Sequence, residues 1–396
     1  MPFNRTSSRV AIGLFAILLA SPTFGQGPLG FQIFAPADVS TYGGAIEPNE
    51  GYFFQFDGLY WSVSPPKTSY VGLAPPAKRE VNYGPNVIDR VDQYSTLNTS
   101  QIKDQFSPGN RFEFGRVEDR NGWFVSIYQI RDQEQDATIP AANVVFNDPP
   151  FGPADPVTLQ QQAYLWGPVG TGVNGNLPVT LYDVLMNHSI DTWGVELMYL
   201  HRMRTCHNGG TFELFGGARY LEFNDTFGIQ AGADPGGTVP SFLAGSSWES
   251  VAENHVVGPE VGLRWFKKQG RWTLSTEGRF MAGLNCQNIH EQVNLGPNLS
   301  PGSHTTFYPT VLGPTTATYS ANAREFSPVI ELRLEGRYQI TRAISFHAGW
   351  TGVWMDNIAR GSGTIDYSMP AMGIDMSRNR EDLLMNGLTL GFDVNR

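Results

Sequence analysis

Alternation with a period of two, held over a dozen or more residues and repeated in segment after segment, dictates what this chain can fold into. That period puts successive side chains on opposite faces of an extended strand. From Phe326 to Ile340 the residues Phe326, Ile330, Leu332, Leu334, Tyr338 and Ile340 alternate with Ser327, Glu331, Arg333, Glu335, Arg337 and Gln339, so one face is fatty and the other charged. Ile344, Phe346, Ala348, Trp350 and Trp354 repeat the pattern, as do Trp272, Leu274, Phe280, Ala282 and Leu284, and Val257, Val261, Leu263 and Trp265. Trp193, Val195, Leu197 and Tyr199 form another fatty face, 212–223 follows it less strictly, and Leu388, Leu390, Phe392 and Val394 form the last. Three further strands are expected over 52–63, 111–117 and 123–130.

The connections carry the second constraint. Those at 118–122, 202–210, 267–270 and 341–343 are short and contain turn residues such as Asn121-Gly122 and Asn208-Gly209. The intervening ones, 64–110, 131–190, 224–254, 285–325 and 356–386, are long, and short strictly alternates with long. A soluble sandwich has no reason to sort its loops by side. A closed up-and-down barrel in a membrane does, with short periplasmic turns, long outer loops and an even strand number. The expected fold is therefore an all-β, antiparallel transmembrane barrel of about ten strands.

The N-terminus agrees with export. Arg5 and Arg9 precede an apolar run from Val10 to Ala20, then Pro22 and Thr23-Phe24-Gly25, the layout of a secretory signal. The expected organisation is a signal peptide over 1–25, a Gly- and Pro-rich periplasmic leader over 26–51, and an outer-membrane barrel over 52–396. The run is too short to span a bilayer as a helix, which takes about twenty residues. A mean hydropathy of −0.24 would pass for a soluble protein. The 44 glycines, 12% aromatic residues and only 16% charged residues would not, since soluble domains average about 25% charged.

Charge placement narrows the function. A charge facing lipid at mid-bilayer costs about 2–4 kcal/mol, so the charged strand faces are expected inward. That gives a lumen network of Glu113, Glu196, Glu213, Glu260, Glu277, Glu331 and Glu335 against Arg111, Arg219, Arg264, Arg279, Arg333 and Arg337. A ten-stranded lumen is little wider than one that side chains fill, so pairing such as Glu260 and Arg264 opposite Glu277 and Arg279 is expected to plug it. The five long connections hold 21 acidic and 10 basic residues, an acidic outer mouth that favours cations. The formal charge of −10 argues against nucleic acid as a partner.

No phosphate loop, Cys-x-x-Cys or His-Glu-x-x-His occurs, and no catalytic, cofactor or metal residue is assigned. His347, on a charged strand face, is the histidine worth testing. Asp356 at a strand top and His290 in a neighbouring loop are the residues an outer-rim hydrolase would use. Cys206 in a short turn and Cys286 beyond the upper end of a strand fall on opposite sides of the membrane, too far apart for a disulfide.

The segment 53–63 with Leu59-Tyr60-Trp61, the run Gly217-Ala218-Arg219-Tyr220-Leu221, and Val257-Gly258-Pro259-Glu260-Val261-Gly262-Leu263-Arg264 together resemble the β-barrel porin family numbered seven. The resemblance covers most of the chain after the leader and implies an outer-membrane barrel. Three functions stand beside that fold: a narrow or plugged channel with outer-membrane lipid and small cations as its partners, a structural or adhesive barrel working through its long loops, and an outer-rim hydrolase.

Overall fold

A computed structural model of the chain describes residues 50–71, 77–84, 87–93, 98–139, 164–165, 179–180, 184–232, 244–296, 316–367 and 372–395. The expected signal peptide and nearly all of the leader lie outside the described residues. Ten strands form the barrel: β1 Gly51–Val63, β2 Gln105–Glu118, β3 Asn121–Ile139, β4 Val184–Arg202, β5 Gly210–Ala231, β6 Ser247–Gln269, β7 Trp272–Asn294, β8 Thr316–Gln339, β9 Ile344–Ile358 and β10 Glu381–Asn395. Each pairs antiparallel with its chain neighbours, and β1 closes the ring by pairing with both β2 and β10, Tyr60 lying opposite Pro108 and Leu388. The short turns and both ends of the barrel sequence fall at one end, since Phe53 lies opposite both Asn395 and Gly115.

Outward-facing Val257, Val261, Leu263, Trp272, Leu274, Phe280, Leu284, Phe326, Leu332, Leu334, Trp350, Leu388 and Leu390 are exposed. An apolar belt this extensive is a liability in water and a lipid face in a bilayer. Aromatic residues border its turn-side margin, with Tyr52 and Phe114 stacked at 6.1 Å, Phe114 and Trp123 at 5.7 Å, and Trp272 and Tyr338 at 4.9 Å. Rings of this kind suit the bilayer–water interface.

The strands run further than their fatty faces predict. Much of the expected loops 224–254 and 285–325 is strand: β5 continues to Ala231, β6 starts at Ser247, β7 reaches Asn294 and β8 starts at Thr316. The cause is an inversion of polarity. On β7 the outward face changes from Trp272, Leu274, Phe280 and Leu284 to Asn288, His290 and Gln292, while the inward face changes from Thr273, Ser275, Glu277 and Arg279 to Met281, Ile289 and Val293. Alternation persists, but the upper wall stands in water and buries its apolar side inward, as a soluble β-protein does.

The upper wall is also lopsided. β8 pairs with β9 only from Val329 downward, whereas with β7 it pairs from Thr316, so β3 to β8 rise above β9, β10, β1 and β2. The concave side of the tall wall, with Val184, Met186, Phe227, Ile229, Trp248 and Val293, is covered by Val71 and Ile102 of the β1–β2 connection and by Ile365, Tyr367 and Met372 of the β9–β10 connection. The latter turns inward at Asn357, whose φ of 56° lies in the left-handed region that Asn tolerates, just where a bulge interrupts the β9–β10 pairing. It then forms a buried helical turn, Gly361–Thr364 (α1), within the barrel. The expected outer loop 356–386 is therefore in large part an insertion into the lumen.

Candidate functional site

The lumen beneath the insertion is filled by charge. All the side chains expected there point inward: Glu113, Glu196, Glu213, Arg219, Glu260, Glu277, Arg279, Glu331, Arg333 and Arg111 are buried, and Arg264, Glu335 and Arg337 are half-buried. Strand parity places them, because inward residues recur at every second position, and the register brings facing strands into step.

Adjacent strands pair as the ladder allows. Arg264 lies opposite Glu277, and its Nε donates to that carboxylate at 2.5 Å. The network then leaves the wall and crosses the barrel. Arg219 on β5 reaches Glu331 on β8 at 2.6 Å, Arg279 on β7 pairs with Glu196 on β4 and with Glu277 at 2.5 Å, and Arg333 on β8 pairs with Glu331 and approaches Glu113 on β2 at 4.0 Å. Glu260 is the least satisfied member. It sits 3.7 Å from Arg219 and 3.8 Å from Arg279, and neither of its oxygens has a hydrogen-bond partner among the described residues.

Aromatic rings brace the arginines. Phe215 lies directly opposite Gly262, where a Cβ would come within 2.1 Å of the ring, so glycine lets Phe215 lie flat against the wall. Arg264 and Arg279 stack on that ring at 5.5 and 5.2 Å. Tyr128 repeats the device opposite Gly194, beneath Arg219 at 5.5 Å. Cation–π contact in a water-poor lumen adds on the order of 2 kcal/mol and favours one orientation of each guanidinium.

The structure adds members that the expected set left out. Asp57 on β1 accepts from Arg111 at 2.6 Å and contacts His347 Nε2 at 2.6 Å, while His347 Nδ1 contacts Asp393 at 3.2 Å and Arg337 pairs with Asp393 at 3.0 Å. Arg202 pairs with Glu213 at 2.9 Å. Asp57 and Asp393 obey the same parity as the rest, so extending the inward count to aspartate finds them. On the turn side the layer opens into a vestibule lined by Arg202, Glu213, Lys268, Arg337 and Asp393 among others.

Above the charges lies an apolar layer to which most strands contribute, including Leu59, Trp61, Ile130, Ile190, Phe223, Val256, Met281, Val329, Met355 and Met385. Above that sits the insertion. Its Arg360 is fully buried and donates to Asp225 of β5 at 2.6 Å, Asp225 also accepts from Gly361 N at 2.9 Å, and His188 lies 3.0 Å from the same carboxylate. Inward amides of β6 and β7 hold the flanks: Asn254 bonds both N and O of Ala359 at 2.8 and 2.9 Å, and Gln287 donates to Asn357 O and accepts from Asn379. Nothing periodic marks these contacts in the sequence.

Two expectations need correction. Asp225, Glu291 and Glu381, counted toward an acidic mouth, are buried. The Asp356 and His290 pair is not assembled. His290 faces outward beside Ser320 at 3.0 Å, whereas Asp356 follows Met355, which is level with Val329. Nine residues of β8 separate those levels, about 30 Å of strand. Cys206 is exposed in the β4–β5 turn and Cys286 sits on β7 opposite His255, and both are free thiols.

A closed ten-stranded barrel with a lipid-facing belt and an occupied lumen defines an outer-membrane β-barrel of the porin type. The family model described as "Putative beta barrel porin-7 (BBP7)" matches residues 55–395, and the chain belongs to that family. Among solved structures it is similar to the outer membrane protease OmpT from Escherichia coli, at 8% identity over 90% of this chain and 100% of that chain with a TM-score of 0.42. It is also similar to a Pseudomonas aeruginosa FadL homologue, at 6% identity over 87% and 90% with a TM-score of 0.22, and to the P. putida toluene transporter TodX, at 6% over 88% and 91% with a TM-score of 0.17. These likenesses bear on neither substrate nor activity. No curated protein sequence matches the chain.

Proposed function

We propose that the protein is an occluded porin-type barrel, closed at rest to hydrated solutes. One observation carries this reading: the lumen is filled at three successive levels, by the crossed Glu–Arg layer, the apolar layer and the inserted β9–β10 segment. Water and ions need a continuous polar path, and an apolar layer between two polar ones interrupts it. Passage then requires the insertion and at least part of the layers beneath to move. The outer segments keep more acids than bases, which favours cations over anions at the mouth. The site takes no catalytic role in this reading, and the chain is exported by a signal peptide over 1–25 that is then cleaved.

The packed upper wall supports a second reading, a structural barrel that presents its long connections as a contact surface. An apolar core under the insertion is what a rigid display scaffold needs, and it serves no solute path.

Liposome swelling with small neutral sugars tests the first reading. Vesicles carrying the protein are expected to swell no faster than empty ones, and rapid swelling would overturn the occluded state.

A further inference from the structure

The insertion is held on one flank by a complete ion pair, Arg360 with Asp225, and on the other it meets an incomplete one. Glu291 points inward from β7, above the lipid belt that ends near Leu284 and between the polar outward residues His290 and Gln292. It is 1% exposed, and neither of its carboxyl oxygens has a hydrogen-bond partner among the described residues. A buried group left in that condition calls for an explanation. Its ladder neighbours are Ser250 on β6 and Tyr319 on β8, with Trp248 one inward step along β6. The insertion brings Tyr367, 5.9 Å from the Trp248 ring, and Asp366 to the same place. Two acids and two phenols thus meet at the edge of the apolar cluster under the insertion, Glu291 and Tyr367 buried and Asp366 and Tyr319 half-buried, and among the described residues Asp366 is the charge that acts on Glu291. Two carboxylates so placed cannot both be ionised cheaply.

We propose that this contact is a pH-dependent latch: Glu291 carries a proton while the segment bearing Asp366 and Tyr367 is inserted, and loss of that proton releases the segment. The proposal rests on the occluded reading and names what regulates it. Burial first, and then Asp366, push the Glu291 carboxyl up to about 8, while Tyr367 is held well above its usual range by burial and by Glu291, and Tyr319 is also raised. The phenols therefore stay neutral. In water a glutamate titrates near about 4.3, so between the two values the inserted state holds a proton that the released state has lost. Insertion takes up one proton in that window, and each pH unit upward shifts the balance about tenfold toward release. Below the window both states are protonated, above it both are ionised, and the dependence stops at each end.

Hydrogen exchange of the peptide covering residues 360–367, in the full-length protein in bicelles and corrected for intrinsic rates, tests the latch from pH 5 to 9. Protection is expected to fall about tenfold per unit up to about pH 8 and then level off. Glu291→Gln, which copies the neutral carboxyl without its proton, should stay protected and flat throughout. Asp366→Asn removes the neighbouring charge and should move the levelling point to lower pH. Protection that is strong but independent of pH in the unmodified protein, or equally steep in Glu291→Gln, overturns the latch and leaves the occluded barrel standing. Free exchange at every pH overturns both.

Discussion

Replacing Arg279 with methionine is expected to break the lumen at its most connected point. Methionine keeps most of the side-chain length and can rest against Phe124 and Phe215, which the guanidinium now covers at 5.6 and 5.2 Å. What disappears is the cation shared by Glu196, Glu277 and, at 3.8 Å, Glu260. Removing one partner of a buried ion pair costs about 3–5 kcal/mol, because the abandoned charge stays buried. Glu277 keeps Arg264, and Glu196 keeps Arg219 at 3.4 Å, so the lower end of that range is expected. Glu260, already without a hydrogen-bond partner, is the carboxylate whose neutralisation should best offset the loss. Glu260→Gln alone is expected to change stability by less than about 1 kcal/mol, and in the Arg279→Met background to restore at least about 1 kcal/mol, as coupled neighbours do. Urea unfolding in lipid vesicles, followed by tryptophan fluorescence, measures both. A cost below about 1 kcal/mol for Arg279→Met, or no recovery in the double variant, would refute the claim that the network holds the lumen closed.

Three further outcomes follow from the same geometry. Leu332→Arg, at the middle of the lipid belt on β8, should cost about 2–4 kcal/mol in the same assay, whereas Asn288→Arg, outward on β7 above the belt, should stay within about 0.5 kcal/mol; equal costs would displace the membrane boundary. Arg360→Met leaves Asp225 buried with only His188 and the Gly361 amide beside it, so trypsin should cut after Arg378 and Arg380 faster than in the unmodified protein, while an unchanged digestion rate would mean the ion pair does not anchor the insertion. A bulky maleimide added to intact cells should spare Cys206 and modify it once the outer membrane is opened, and reaction of Cys206 from outside would invert the strand directions.

Strand number, closure and the inward charges were legible because the lower halves of the strands obey a single rule, fatty outward and polar inward. The upper halves were not, because the rule inverts where bilayer gives way to water. On β7 a reading that follows the fatty face stops at Leu284, although the strand runs to Asn294. The cross-lumen pairs escaped for another reason. Parity says that Arg219 and Glu331 point inward, but only closure of the ring brings β5 within reach of β8. The insertion was least visible of all, since 356–386 has no period and its main anchor joins Arg360 to a residue 135 positions away. Asn254, Asn285 and Gln287 read as loop polar residues until the strands bearing them are extended upward.

Single-channel recording of the purified protein in a planar bilayer addresses the central claim most directly. At neutral pH and moderate salt the three closed levels predict brief, small, cation-preferring openings separated by long silent periods. Large, steady and weakly selective conductance would contradict the account, because the Arg279, Phe223 and Arg360 levels could not then be what closes the lumen.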